Sequence, residues 1–236
     1  MKTKLLKIQK KLSDRFGPRN WWPAETDLEV CIGAILTQNT SWKNVEKAIS
    51  ALRIENLLSI DALTAIEEHK LASLIKPAGY YNLKTKRLKS LIHYLSTVNS
   101  GDWRQFLRKS PLEKARDSLL SVYGVGPETA DSILLYAANR RSFVIDKYTI
   151  RFGARFGLFR DDIGYERARA FFMEHLPKSW KLYNEYHALI VALGATHCKA
   201  KPDCVPCPLL DDCPTGRNNL SMNSVRSSKK KKGVRL

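Results

Sequence analysis

The stretch LLSVYGVGPETADSILLYAANRRSFVIDKY, Leu119 to Tyr148, constrains this chain more than any other. Leu119, Leu120, Val122 and Tyr123 close one helical pattern. Ala130, Ile133, Leu134 and Ala137 open a second at the i, i+3, i+4, i+7 spacing. Between them stands Gly124-Val125-Gly126. Two glycines permit a tight turn at positive φ with no Cβ in the way. Such a turn bares backbone N–H groups at a helix start, where the helix dipole favours an anion. Pro127 suits the first helical turn, since its missing N–H is not needed there. Taken alone, Gly-x-Gly fits an ordinary helix turn as well as a phosphate site.

Charge narrows the choice of anion. The 236 residues carry 40 Lys+Arg against 23 Asp+Glu, a net charge of +17. Arg217, Arg226, Lys229 to Lys232 and Arg235 crowd the C-terminal end, yet the remainder is still strongly basic. A basic body, rather than a basic tail alone, points to nucleic acid. No apolar run is long enough to cross a membrane. The N-terminus MKTKLLKIQKKLSDRFG is charged throughout and lacks the apolar stretch of a signal peptide. The expectation is a cytoplasmic, nucleoid-associated protein with no membrane partner. In that setting, four clustered cysteines point to a metal site before disulfides.

No segment shows sustained period-two alternation and no long repeat is visible, so the expectation is an all-α fold. Residues 4 to 16, 28 to 36, 42 to 52, 61 to 75, 84 to 95, 150 to 156, 165 to 176 and 183 to 193 carry helical spacing. Asp27 or Thr26 is placed to cap the second of these, and Thr40 or Ser41 the third. Trp21-Trp22-Pro23 cannot place both rings on one helix face, so one ring can be core while the other lines a cavity; both can also be packing residues. Thr37-Gln38-Asn39-Thr40 is a polar link between helices. Lys84, Lys86, Arg87 and Lys89 stud one helix, as a solvated face or as phosphate contacts. Beyond Cys213 few apolar groups remain, and 214–236 is expected to be a disordered basic tail, acting as a DNA tether or a nuclear signal.

Cys198, Cys204, Cys207 and Cys213 follow the last helix within sixteen residues. Four thiolates can serve one soft metal centre. Zinc usually takes two C-x2-C pairs, and only one is present here. An iron–sulfur cluster, zinc and inert thiols all remain open on spacing alone. Cys31, inside an apolar helix, reads as a buried structural thiol.

Taken together, Gly124-Val125-Gly126, Phe143-Val144-Ile145-Asp146 and the cysteine loop resemble the helix–hairpin–helix DNA glycosylases of the endonuclease III superfamily. Trp21-Trp22-Pro23, Leu36-Thr37-Gln38-Asn39-Thr40, Gly79-Tyr80-Tyr81-Asn82 and Val144-Ile145-Asp146-Lys147-Tyr148 are most similar to the 3-methyladenine glycosylases of that type. The resemblance implies two helical lobes with an active site in the cleft between. Residues 24–134 would form a barrel-like lobe that includes the hairpin. Residues 1–23 plus 135–197 would form the second, and 198–213 a [4Fe–4S] loop. That family's loop is one residue longer in its first gap. The resemblance further implies Asp146 as the catalytic carboxylate and Gln38 and Tyr80 as wedges that fill the gap left by an extruded base. It makes Gly124, Gly126, Thr129, Lys84 and Arg87 contacts to the DNA backbone. Trp21, Trp22, Pro23, Glu128 and Lys147 would surround the base.

One departure carries chemistry. Bifunctional members place a Lys two residues after the second hairpin glycine, and here that position is Glu128. A carboxylate cannot form an imine with C1′ of the sugar. The expectation is therefore a monofunctional glycosylase; the resemblance further implies alkylated purines as the substrate and double-stranded DNA with a damaged base as the partner, bound by a monomer. The alternatives are a mismatch enzyme for T or U opposite G, an oxidised-pyrimidine enzyme, and a non-catalytic iron–sulfur DNA-binding module.

Overall fold

A computed structural model describes residues 1–221 of the chain, and among them the structure is all-α. Its helices are α1 (Lys2–Phe16), α2 (Asp27–Leu36), α3 (Trp42–Ile54), α4 (Ile60–Ala65), α5 (Glu68–Leu74), α6 (Tyr81–Thr97), α7 (Trp103–Lys109), α8 (Leu112–Leu120), α9 (Pro127–Ser132), α10 (Lys147–Arg155), α11 (Tyr165–His175) and α12 (Trp180–Thr196). The chain divides into two compact units. One comprises Met1–Trp21 with Ile145–Leu236, and the other Trp22–Val144. No helix among the described residues is long and apolar enough to cross a membrane.

The Trp22–Val144 unit is built on α2 and α6. Nine of the ten α2 residues are buried, which its all-round apolar sequence requires. Thr26, not Asp27, caps it by accepting from the Glu29 N–H. Ser41 stands at the N-cap of α3 but makes no side-chain cap bond. Leu88, Leu91 and Leu95 of α6 are fully buried, at the i, i+3, i+7 spacing of one helix face. The single helix expected over 61 to 75 is two, because Ile66 takes an extended backbone (ψ 139°) and Glu67 starts α5 afresh.

The unit boundary falls after Val144, ten residues later than the expected 134. The reason lies in side chains of that stretch. Arg140 donates to the carbonyls of Leu107 and Ser110 (2.7 Å to Ser110), and Ser142 Oγ donates to Asp131, so 140–144 is bound into this unit. The second hairpin helix also differs in kind: α9 is six residues long and continues as a π-helical turn, Ile133–Ala137, with every residue of that turn buried. Arg116 of α8 and Asp131 of α9 form a buried two-point ion pair at 3.0 and 3.2 Å, locking together the two helices that flank the hairpin.

The other unit packs α1 and α10 on α12. Leu5, Ile8 and Leu12 of α1 are buried, and Tyr186 Oη of α12 donates to the Leu5 carbonyl at 3.0 Å. Phe159, Phe171 and Phe172 stack edge to face beside them. Residues 214–221 are helical, so the expected disordered tail does not begin at 214. The Lys229 to Lys232 run lies outside the described residues.

Replacing Arg116 by Met strands the Asp131 carboxylate in the interior. Urea unfolding should show a loss of about 3–5 kcal/mol, much of it recovered when Asp131→Leu is added.

Candidate functional site

The hairpin turn depends on Gly124. Its φ of +84° is in the left-handed region, and a Cβ there would lie 2.1 Å from Arg87 Cγ. Gly126 behaves otherwise. It is an extended N-cap (φ −94°, ψ 179°), and a Cβ there would meet nothing within 4 Å. Only one of the two glycines therefore serves the turn, and the other leaves open space. The first i→i−4 bond of α9 runs from Ala130 N to Gly126 O at 2.9 Å. The N–H groups of Glu128 and Thr129 lie in the first turn, ahead of that bond. Glu128 is exposed in that first turn.

Several residues expected at phosphates are instead tied to Gln38, an expected wedge, or to backbone carbonyls. Gln38 Nε2 donates to the Gly124 carbonyl at 2.9 Å and to Thr129 Oγ1 at 3.0 Å. Arg87 donates to Gln38 Oε1 at 2.5 Å. Thr129 is buried, so its hydroxyl braces Gln38 and does not reach a phosphate. Lys84 is 1% exposed, and its ammonium donates to the carbonyls of Leu36 and Ala78, each at 2.8 Å. Burial, then the neighbouring Arg87 charge, pulls Lys84 down to about 8. Its expected role as a phosphate contact is corrected: a side chain this enclosed cannot touch DNA. Tyr80 is the opposite case. It is 72% exposed and holds φ +46°, an unfavourable conformation for a bulky residue.

Trp22 is half-buried among aromatics. Its ring lies 5.1 Å from Trp42, edge to face, and 5.3 Å from Tyr136. Trp21 is half-buried in the other unit, and Pro23 is exposed. Trp42 and Tyr136 were not singled out from the sequence; their only signal was aromatic character in amphipathic helices.

Asp146 is the N-cap of α10, with Oδ1 accepting from the Thr149 N–H at 2.7 Å. Its side chain is 12% exposed, and Oδ2 lies 3.8 Å from His187 Nε2. His187, on α12, was missed by the sequence reading; a lone imidazole in an apolar helix was the available signal. Burial lowers its pKa below the usual 6.5, against the opposing pull of Asp146. It is thus neutral at pH 7. The close approach of α10 to α12 that brings the pair together needs Gly194, where a Cβ would meet the Tyr148 ring at 2.3 Å. Lys147 is exposed, with its ammonium 5.4 Å from the Tyr148 ring centre.

All four cysteines of the C-terminal loop line one pocket. Arg155 of α10 brackets it, donating to the carbonyls of Lys199 (2.6 Å) and Ala200 (2.8 Å) and to Cys198 Sγ (3.4 Å). Gly216 N donates to Cys213 Sγ and Asn219 Nδ2 to Cys204 Sγ, at 3.4 and 3.5 Å. Burial, with repulsion from the other three thiolates, raises Cys207 to about 11. Four thiolates this close need a cation to stay ionised. Among the described residues, no three of His, Cys, Asp and Glu are grouped to hold a metal ion.

Residues 32–178 match the family described as HhH-GPD superfamily base excision DNA repair protein. A candidate DNA repair glycosylase of Methanocaldococcus jannaschii, MJ1434, is 48% identical over 211 residues, covering 89% of this chain and 95% of its own. The structure of the H. pylori 3-methyladenine DNA glycosylase MagIII, bound to 1,N6-ethenoadenine, superposes with a TM-score of 0.71 at 27% identity. It covers 81% of this chain and 97% of that one. A trapped endonuclease III–DNA covalent intermediate gives a TM-score of 0.80 at 22% identity, over 93% and 99% of the two chains, a likeness of fold.

The His187 shift has a signed consequence. Above its ordinary value of 6.5 the imidazole is neutral in both folded and unfolded chains and contributes nothing. Below 6.5 the unfolded chain takes up a proton that the folded one resists, so stability falls. Thermal unfolding followed from about pH 7 to about pH 5 should show a smaller drop for His187→Gln than for the wild type.

Proposed function

Because the chain belongs to the HhH-GPD superfamily of base excision DNA repair proteins, and is by that membership a DNA glycosylase, we propose that it removes alkylated purines of the 3-methyladenine kind without cutting the strand. The observation that carries the reading is the cap at Asp146. One carboxylate oxygen is held by the Thr149 N–H, which fixes the orientation of the group. The other, in a partly exposed side chain, is beyond hydrogen-bond distance of a neutral imidazole.

The chemistry follows from that arrangement. As the C1′–N bond lengthens, its electron pair goes to the departing base and positive charge builds on the sugar. The Asp146 carboxylate stabilises that charge and orients a water, whose oxygen bonds to C1′ and whose proton passes to the carboxylate. An N3- or N7-alkylated purine is already cationic, so it leaves as a neutral base. Stacking and cation–π attraction to an aromatic ring are worth roughly 0.5–2 kcal/mol. The half-buried Trp22, steadied by Trp42 and Tyr136, supports that part, as does the likeness to the H. pylori enzyme. Trp21 and Pro23 are its proposed neighbours at the base, with Lys147. Glu128 stands where a Schiff-base Lys would be needed, which supports hydrolysis without β-elimination.

DNA must be bent and the target base swung out first. The open space before Gly126 and the first-turn N–H groups of α9 would receive a backbone phosphate. Tyr80, exposed and held in a strained conformation, and Gln38, on the loop after α2, would fill the vacated position. Cys198, Cys204, Cys207 and Cys213 would hold a [4Fe–4S] cluster. Such a cluster takes one thiolate at each iron, so its ligands need not meet at a point, and N–H donors to sulfur suit it. When bound it supplies a rigid cationic centre for the loop; no step of the hydrolysis is routed through it.

Purified protein incubated with methylated DNA should release 3-methyladenine and leave abasic sites that break only on adding alkali. Asp146→Asn should lower release by about 100-fold or more. Release of thymine or uracil from T·G or U·G duplexes, or of thymine glycol, would instead assign the enzyme to those lesions, and nicking without alkali would overturn the argument from Glu128. Cys204→Ser should lose iron, sulfide and the visible absorbance of the as-purified protein; an unchanged metal content would remove the cluster assignment.

A further inference from the structure

Helix α6 sends two cations inward one turn apart, and together they reach both loops assigned to the DNA gap. Lys84 Nζ lies 2.8 Å from the carbonyl of Leu36, the last residue of α2, immediately before Thr37 and Gln38. It lies 2.8 Å from the carbonyl of Ala78, the last residue of a 3-10 turn, immediately before Gly79 and Tyr80. Both acceptors are helix-terminal carbonyls, where the negative end of the helix favours a cation. Arg87, one turn on, holds the Gln38 amide while its stem fills the space that a side chain at position 124 would need. An ammonium with 1% exposure is costly to bury, and Met or Leu would fill the volume without that cost. What lysine adds there is a link between two carbonyls.

We propose that Lys84 is a positioning residue that clamps the Thr37–Thr40 loop and the Gly79–Tyr80 loop to one point, so that the two loops meet the duplex as a single rigid wedge with Tyr80 as its exposed tip. The proposal rests on the wedge reading of Gln38 and Tyr80. A wedge acts on unstacking and not on bond cleavage. A base that is already unpaired needs it least. Loosening the clamp therefore separates substrates by how well their target base is paired, whereas a general loss of stability does not.

Nature supplies a control on the same helix. Lys89 Nζ also donates to two carbonyls, those of Thr64 (2.9 Å) and Ile66, at the end of α4, and neither precedes a wedge residue. Single-turnover release of 7-methylguanine is measured from one oligonucleotide in two settings, fully paired and within an unpaired bubble. Lys84→Met should lose roughly tenfold more rate on the paired duplex than on the bubble. Lys89→Met should lose the same factor on both. Should Lys84→Met not remain folded, Lys84→Arg, which keeps the charge but moves where it is held, carries the same comparison. Tyr80→Ala should show the same paired-over-bubble loss, and adding Lys84→Met to it should increase that ratio little. An equal loss on both duplexes for the Lys84 variants, or no loss, overturns the clamp. A wild-type protein that releases no base from either duplex defeats the glycosylase reading instead, and the two failures are thereby distinct.

Discussion

The left-handed turn at Gly124 is the constraint on which a hydrogen-bond network of the Trp22–Val144 unit hangs. Without a Cβ at that position the stem of Arg87 can lie against the turn, and the Gly124 carbonyl is free to accept from Gln38. Arg87 in turn holds the other end of the Gln38 amide, and Thr129 completes the set. One glycine thus joins the hairpin, α6 and the loop after α2 in a single network. Its neighbour Gly126 differs: its backbone is extended, and a Cβ there would meet nothing within 4 Å.

In the proposed reaction, Asp146 is structural and chemical together. Capping α10 uses one carboxylate oxygen and fixes the group's direction. The cap is local and follows from an Asp immediately before a helix. What surrounds the other oxygen is not local. The buried His187 arrives from α12, more than forty residues on, and only because Gly194 lets α12 approach the Tyr148 ring.

Charge was the least legible feature. Lys84 and Arg87 look, in one dimension, like any basic helix face, and Lys86 on the same helix is indeed exposed. Which of them turns inward depends on where α6 meets the ends of α2 and of the turn before Tyr80. The same holds for Thr129, whose hydroxyl meets Gln38 across 91 residues of chain. Helix boundaries failed for smaller reasons: an extended Ile66 broke one expected helix, and Arg140 and Ser142 carried the unit boundary past 134.

Sequence alone determined the all-α class, the glycine turn, the cysteine spacing and the missing lysine at 128. Each of these is a local matter, decided by residue type, by period, or by one backbone angle. Tertiary structure alone decided which cations are buried, which aromatic rings share a nest with Trp22, and which imidazole stands beside Asp146. Those pairings join residues distant in the chain, and burial, which sets their charge and reach, is a property of the packed whole.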